Sequence, residues 1–165
     1  ETVLVEQIVS SPITFGEKHK QEIAHLVDVA NYSLLDWKDA KPRIEQSLKS
    51  SNPWERCWAT IACGTFGKEA ESLVPQVQPL LNDEELLVRV RAAEFLGSIQ
   101  AVDPRPALYS VLKESKSPVT TLIALNAIVF LRDHHDYQFE LQPKNITAVD
   151  SLVERRLDYL LGKRK

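Results

Sequence analysis

A chain of 165 residues is long enough for one domain, and 44% hydrophobic with 26% charged residues is ordinary for a globular protein. The formal net charge of −3 argues against a general nucleic-acid or anionic-membrane binder. No run of about 18 apolar residues occurs, so the sequence predicts no membrane-spanning helix. The chain starts at Glu1 and contains no Met, which indicates a processed protein or a fragment.

The N-terminal part of the sequence is interpreted as a short leader followed by a helix. Residues 1–16 are assigned to a leader and linker, because Pro12 and Gly16 favour turns. Residues 17–165 are interpreted as a single helical domain. Its first predicted helix covers residues 17–31. One apolar stripe runs along this helix and consists of Ile23, Leu26, Val27 and Ala30.

Three pairs of predicted helices follow at a nearly constant spacing. They cover residues 37–67, 69–99 and 104–131. Arg56 and Arg89 are 33 residues apart, as are Ala59 and Ala92, and Ala124 follows Ala92 by 32 residues. Such a period is typical of stacked helical hairpins, in which neighbouring units bury each other's apolar faces. The predicted fold class is therefore all-α, a right-handed α-solenoid of about three helical hairpins with flanking helices.

The stretch 83–99 shows the second helix of a pair most clearly. Its acidic start, from Asp83 to Glu85, suits a helix N-terminus, where carboxylates meet unpaired N–H groups. The apolar residues Leu86, Val90, Ala93 and Leu96 then recur at helical spacing. Gly97 weakens the helix at its C-terminal end. We predict that Leu96 belongs to the hydrophobic core.

Proline and polar residues mark the other boundaries. Asn52 is the predicted N-cap of the second helix in the first pair. Pro75 and Pro79 lie inside the first element of the second pair and predict a kinked or short helix there. Residues 132–147 are polar and are interpreted as a long loop. Residues 148–161 form a predicted last helix that caps the stack.

No catalytic or metal-binding constellation is recognisable in the sequence. Cys57 and Cys63 lie in one predicted helix, about 120° apart around its axis, which fits neither a disulfide nor a zinc site. We interpret them as two small buried side chains. His134, His135 and Asp136 are metal-ligand residue types, but adjacent residues rarely bind one ion, so a solvated turn is favoured. The sequence predicts no catalytic residue, cofactor or metal site in this segment.

Short motifs at matched places in the three pairs resemble a known family. They are Arg56–Thr60 (Arg-Cys-Trp-Ala-Thr), Val88–Gly97 (Val-Arg-Val-Arg-Ala-Ala-Glu-Phe-Leu-Gly) and Ala124–Ile128 (Ala-Leu-Asn-Ala-Ile). These motifs resemble HEAT repeats and, more narrowly, the HEAT-bearing C-terminal extension of bacterial sulfatases similar to heparan N-sulfatase. Glu22–Asn31 resembles the helix that precedes that extension. The likeness covers roughly residues 22–131.

The resemblance implies a non-catalytic HEAT-like accessory or scaffold domain, the C-terminal part of a sulfatase-family hydrolase that acts on sulfated sugars. The catalytic domain of the same polypeptide, with its formylglycine and calcium, would lie outside this segment, in a periplasmic or extracellular protein. The alternative is a free-standing HEAT adaptor that binds a protein partner. Neither hypothesis involves nucleic acid or membrane. The first predicts an exposed apolar patch within residues 1–35, and the second predicts a continuous polar groove on the second helices.

Five residues form the candidate interaction surface. Arg56 and Arg89 occupy matched positions, and in HEAT-type stacks such arginines bridge neighbouring loops through acidic side chains or carbonyls. Contact with a ligand is the alternative role. Trp54 and Trp58 are interpreted as packing between repeats, with exposed stacking platforms as the alternative. Arg91 completes the set.

Overall fold

The computed structural model describes residues 11–163, and within this range the chain forms helices and no strands. The α-helices are α1 (Pro12–Lys18), α2 (Lys20–Ala30), α3 (Trp37–Ser47), α4 (Pro53–Phe66), α5 (Val74–Val77), α6 (Leu86–Ser98), α7 (Arg105–Glu114), α8 (Pro118–His135) and α9 (Ser151–Leu160). Short 3₁₀ helices cover Asn31–Leu34, Gly67–Leu73, Gln78–Asn82 and Pro143–Asn145. The prediction of an all-α fold is confirmed.

The helices stack as successive hairpins in chain order. The first hairpin pairs α3 with α4, the second pairs the segment 67–82 with α6, and the third pairs α7 with α8. The second helices form a row, because α6 packs between α4 and α8. Helix α2 packs beside α4 at one end of this row, and α9 packs beside α8 at the other. This is the predicted α-solenoid of helical hairpins.

Helix α6 holds the stack together because it is buried on two sides. Its residues Ala92 and Phe95 belong to one apolar cluster with α3 and α4. Its residues Val90 and Ala93 belong to a second cluster with α7, α8 and α9. The matched alanines Ala59, Ala92 and Ala124 are fully buried, where their small side chains let neighbouring helices approach closely. The apolar spacing within 83–99 therefore predicted this helix and its role in the core correctly.

The start of α6 differs from the predicted one. The helix begins at Leu86, and the Glu85 side chain caps it by accepting a hydrogen bond from the Leu87 N–H at 3.3 Å. Asp83 precedes the helix, and its carboxylate binds Arg56 and also accepts a hydrogen bond from the Glu85 N–H at 2.9 Å. The interpretation of the acidic run as a helix start is therefore confirmed in part: Asp83 lies outside the helix, but its carboxylate accepts both the N–H of the N-cap residue and the charge-assisted hydrogen bonds of Arg56.

The proline-rich first element of the second hairpin is short and irregular, as predicted. It consists of two 3₁₀ helices flanking the single turn α5. Pro75 lies in the first turn of α5, and Pro79 lies in the first turn of Gln78–Asn82. Proline has no N–H to donate, so it is accommodated best in the first turn of a helix. Repeated restarts at these two prolines replace the continuous helix of an ordinary hairpin.

The predicted linker at the N-terminus is wrong for the residues that follow Ser11. Helix α1 begins at Pro12, and the Ser11 hydroxyl caps it by accepting a hydrogen bond from the Thr14 N–H at 3.1 Å. A serine followed by a proline is also the ordinary start of a helix, and here that interpretation applies. The rest of the predicted leader, residues 1–10, lies outside the described residues.

The predicted loop over residues 132–147 is also partly wrong. Helix α8 continues to His135 and ends at Asp136, which has a left-handed conformation with φ of 60°. The chain beyond it is extended, and Tyr137, Phe139 and Leu141 pack against the apolar cluster of α7 and α8. Their alternation with polar residues is the period of an extended chain. This segment takes the place that a first helix would fill before α9.

Two glycines provide a matched test of helix packing. A Cβ at Gly97 would lie 2.8 Å from Pro104 Cγ and 2.9 Å from Leu131 Cδ2. We expect this overlap to outweigh the helix preference of alanine, so that Gly97→Ala lowers the free energy of unfolding by about 1–2 kcal/mol. Gly64→Ala should raise it by about 0.5–1 kcal/mol, because a Cβ there meets no atom within 4 Å. Urea denaturation measures both, and equal shifts would contradict the close approach at Gly97.

Candidate interaction surface

Arg56 forms a bidentate ion pair with Asp83 inside the stack. Its Nε donates to Asp83 Oδ2 at 2.7 Å and its Nη2 donates to Asp83 Oδ1 at 2.8 Å. Its Nη1 donates to the Ser50 carbonyl oxygen at 2.8 Å. The side chains of Arg56 and Asp83 are only 11% and 5% exposed. The hydrogen bond with Asp83 raises the pKa of Arg56, so this guanidinium stays charged and engaged within the fold.

Arg89 continues the same series one hairpin further. Its Nε donates to the Asp83 carbonyl oxygen, and its Nη1 donates to Glu114 Oε2 at 2.8 Å. The Ser110 hydroxyl and Arg89 together lower the pKa of Glu114. Asp83 thus binds both arginines and, through them, connects the loops of three successive hairpins. The prediction that Arg56 and Arg89 bridge neighbouring loops is confirmed.

The remaining candidates lie on the row of second helices. Trp54 is partly buried and packs against the small cluster of Cys57, Leu87 and Val88, which agrees with its interpretation as a packing residue. Trp58 is 39% exposed, so the interpretation of Trp58 as a packed residue is wrong. The flanking Cys57 and Ala59 are buried, but the ring points elsewhere because successive helical residues differ in direction by about 100°.

We call the exposed side of α4, α6 and α8 the inner face. Arg91 lies at its centre and pairs with Glu94, with Arg91 Nη1 to Glu94 Oε2 at 2.6 Å. A shallow cavity of about 210 Å³ adjoins this pair and is also lined by Ile61 and Phe130. Phe130 is 37% exposed. The inner face is therefore a mixture of apolar and charged side chains rather than the continuous polar groove that the adaptor hypothesis predicted.

A second exposed surface lies at the N-terminal end of the stack. Ile23 and Val27 are one turn apart on α2 and are 41% and 52% exposed. Leu34, in the 3₁₀ helix that follows α2, is 80% exposed. We call these three residues the N-terminal apolar surface. Exposed apolar side chains were predicted near residues 1–35, and these three agree with that prediction, while residues 1–10 lie outside the described part of the chain.

Helix α2 packs on α4 through its other face. Val29 is fully buried, and His25 Nε2 lies 2.9 Å from Glu55 Oε1 on α4. Val29 lies about 160° around the helix axis from Val27, because each residue turns the helix by about 100°. Of the apolar stripe predicted from the sequence, Ile23 and Val27 are thus turned away from the stack, whereas Leu26 and Ala30 are half-buried. Periodicity identified the stripe but contained no signal for which neighbour would cover it.

Metal-ligand residue types do not cluster in the part of the chain that the structure describes. No group of three or more His, Cys, Asp or Glu side chains could hold an ion within residues 11–163. His134 and His135 lie in the last turn of α8, and their rings contact Phe130 with centroid distances of 5.6 and 4.9 Å. The predicted turn is therefore wrong for both histidines, which are helical, whereas the predicted solvation holds for His134, which is exposed. Over the same range, no helix is long and apolar enough to cross a membrane.

Both cysteines are free and buried, as predicted. Desolvation raises the pKa of Cys57 to about 11 and that of Cys63 to about 12.

The thiolate is the form of cysteine that reacts. At pH 8 we therefore expect a thiol reagent to modify both cysteines slowly in the folded chain and rapidly when the chain is unfolded in guanidinium. Since the unfolded thiols ionise first, the free energy of unfolding should fall as the pH rises above about 9. Rapid modification of both thiols in the folded chain would contradict their burial.

Stacked hairpins joined by an internal series of arginine bridges define an α-solenoid, the class of protein that presents an extended surface to partners. Residues 40–128, more than half of the chain, match the family model of HEAT repeats. The chain belongs to the HEAT repeat family. No curated protein and no solved structure matches it. HEAT repeats are typically non-catalytic, and their presence suggests a role in protein interaction.

Proposed function

We propose that this HEAT domain is a non-catalytic accessory domain that docks onto another protein domain through the N-terminal apolar surface. The observation that supports it is that α2 carries apolar side chains on opposite faces. Helices α4 and α6 have a neighbour on both sides in the row, whereas α2 ends the row: within residues 11–163 it packs mainly on α4, with smaller contacts to α1, α3 and the Asn31–Leu34 helix. The outward face of α2 therefore carries apolar side chains, as is usual for a helix that is covered on both sides.

The exposed side chains are large enough to make docking favourable. Fully burying an Ile, Val or Leu side chain stabilises a complex by about 1.5–3 kcal/mol before the cost of association. Ile23 and Val27 are held at a fixed spacing on a helix whose other face is anchored by Val29 and the His25–Glu55 contact. A preorganised apolar surface loses little conformational entropy on binding. These features favour a lasting contact between domains over a transient one.

We further propose that the docked domain is the catalytic domain of a sulfatase-family hydrolase in the same polypeptide. The support is the resemblance of Glu22–Asn31 to the helix that precedes the HEAT extension of bacterial sulfatases. That stretch lies almost entirely in α2, which carries the N-terminal apolar surface. In this arrangement α2 forms the junction between the two domains. The formylglycine and the calcium belong to the catalytic domain, and the HEAT stack supports it and borders its substrate entrance.

A free-standing adaptor remains the second candidate, because the inner face suits a protein partner. Trp58 and Phe130 are exposed there, on either side of the Arg91–Glu94 pair. Aromatic and arginine side chains are enriched at the centres of protein interfaces. The two candidates use different surfaces, so substitutions on α2 and on the inner face distinguish them.

The test uses the complete polypeptide that contains this segment. Ile23→Asp with Val27→Asp should separate the HEAT domain from its neighbour, which limited proteolysis detects as cleavage between the domains. The matched control is Val149→Asp with Leu152→Asp at the other end of the stack, where the side chains are 44% and 51% exposed. The control should leave the digestion pattern unchanged. Identical patterns for both variants would overturn docking through α2.

The sulfatase assignment is tested separately on the same material. The complete polypeptide should hydrolyse an aryl sulfate, and the isolated HEAT segment should not. Hydrolysis by the isolated segment would contradict its non-catalytic role. If α2 is protected from proteolysis in the complete polypeptide but no sulfatase activity is found, the docking proposal is supported and the sulfatase assignment is wrong.

A further inference from the structure

A pocket of about 540 Å³ lies on the side of the third hairpin opposite the inner face, between α7 and residues 140–146. Its volume is within the range of about 300–1,000 Å³ that small-molecule sites occupy. We call it the outer pocket. It shares no lining residue with the cavity of the inner face or with the N-terminal apolar surface, so binding in this pocket would be independent of the proposed docking function.

Two hydrogen bonds fix the wall of the outer pocket that is not helical. The Glu140 N–H donates to the Tyr109 hydroxyl at 2.9 Å, and the Thr147 hydroxyl donates to the Lys113 carbonyl oxygen at 2.8 Å. Apolar contacts hold the same segment, because Leu141 and the buried Ile146 pack into the apolar cluster of α7 and α8. The segment is therefore attached to α7 at both ends, and the pocket is a formed concavity.

The lining combines an apolar base with polar groups that have no internal partner. Leu141, Ile146 and the ring of Tyr109 supply the apolar part. Gln142, Asn145 and Lys113 supply the polar part; they are exposed to solvent, and within residues 11–163 their side chains make no hydrogen bond or ion pair to other residues, so they are free to bind a ligand. A primary amide offers two donor hydrogens and an acceptor oxygen, so Gln142 and Asn145 bring both kinds of group.

We propose that the outer pocket binds a saccharide unit, as a single pyranose ring or as part of a longer glycan. A pyranose has C–H faces that pack on apolar and aromatic side chains and hydroxyl edges that both donate and accept hydrogen bonds. Gln142 and Asn145 match those edges, and the apolar base matches a ring face. The carboxylate of Glu140, which also lines the pocket, disfavours a polyanion such as nucleic acid.

A glycan array with the labelled chain provides the test, using neutral, amino and sulfated glycans as probes. Gln142→Ala with Asn145→Ala should lower the affinity for the retained glycans by about tenfold, the expected effect of losing one or two hydrogen bonds. The matched control is Gln21→Ala with Gln46→Ala, which removes two amides elsewhere on the chain. The control should bind like the unsubstituted chain, and the melting temperature of all variants should be unchanged.

Lys113→Ala separates the two kinds of saccharide. It should weaken binding if the retained glycans carry sulfate or carboxylate, and it should have little effect if they are neutral. Retention of no glycan by the unsubstituted chain would overturn the proposal. Binding that survives the loss of both Gln142 and Asn145 amides would overturn it as well, because the glycan would then lie elsewhere.

Discussion

Leu96→Ala should lower the free energy of unfolding by about 2–5 kcal/mol. Leu96 is fully buried in the apolar cluster that α6 shares with α3 and α4. Truncating it removes apolar contacts and leaves a cavity between two hairpins, because neighbouring helices with intact backbones cannot collapse fully into the space. Urea denaturation followed by circular dichroism measures the change.

The matched control for Leu96 is Leu34, which is 80% exposed. Leu34→Ala removes the same atoms from the surface and should change the free energy of unfolding by less than about 0.5 kcal/mol. A large difference in the free energy of unfolding between the two variants would show that the loss of stability comes from the burial of Leu96, since both variants remove the same atoms. An unchanged denaturation midpoint for Leu96→Ala would place that residue outside the core.

Asp83→Ala should be nearly as damaging, at about 3 kcal/mol. The substitution leaves the Arg56 guanidinium without its carboxylate at a site where the side chain is only 11% exposed. It removes two hydrogen bonds to Arg56 and the turn contact from the Glu85 N–H to Asp83 Oδ1 at 2.9 Å. The Arg89 contact to the Asp83 carbonyl oxygen does not depend on the side chain.

Glu84→Ala is the control for Asp83→Ala, because it removes the same charge from the next residue. The Glu84 side chain is 86% exposed and lies 4.0 Å from Arg56 Nη2, so its loss should have an effect below about 0.5 kcal/mol. Adding Arg56→Leu to Asp83→Ala should restore part of the stability, since the unpaired buried charge is then gone. If Asp83→Ala and Glu84→Ala lowered the free energy of unfolding equally, a stabilising bidentate pair between Arg56 and Asp83 would be contradicted.

The stacking of the helices was predictable because one repeated pattern determines it. The matched spacing of Ala59, Ala92 and Ala124 encodes a close approach between successive second helices, and no long-range information is needed to recognise it. The roles of Arg56 and Arg89 followed from the same register. The ion pair of Asp83 was harder to predict, because an acidic residue before a helix also suits a contact with the helix start, and only the position of Arg56 adds the second role.

Other features depend on neighbours that the local sequence does not specify. The stripe of Ile23 and Val27 was visible, but its direction follows from which face of α2 meets α4. Cys57 is buried and Trp58 is exposed although they are successive residues of α4, because their side chains point in different directions around the helix. Of the surfaces proposed to bind a partner or ligand, the apolar face of α2 was predicted from its periodicity. The outer pocket had no signal in the sequence, because its two walls are far apart along the chain.

Amide hydrogen exchange tests the central claim, that the outward face of α2 is covered in the complete polypeptide. Exchange is compared between the isolated HEAT segment and the complete polypeptide, with α9 as the internal reference at the other end of the stack. If another domain covers α2, exchange along α2 should be slower in the complete polypeptide, with no difference along α9. Equal exchange rates along α2 in both proteins would contradict it.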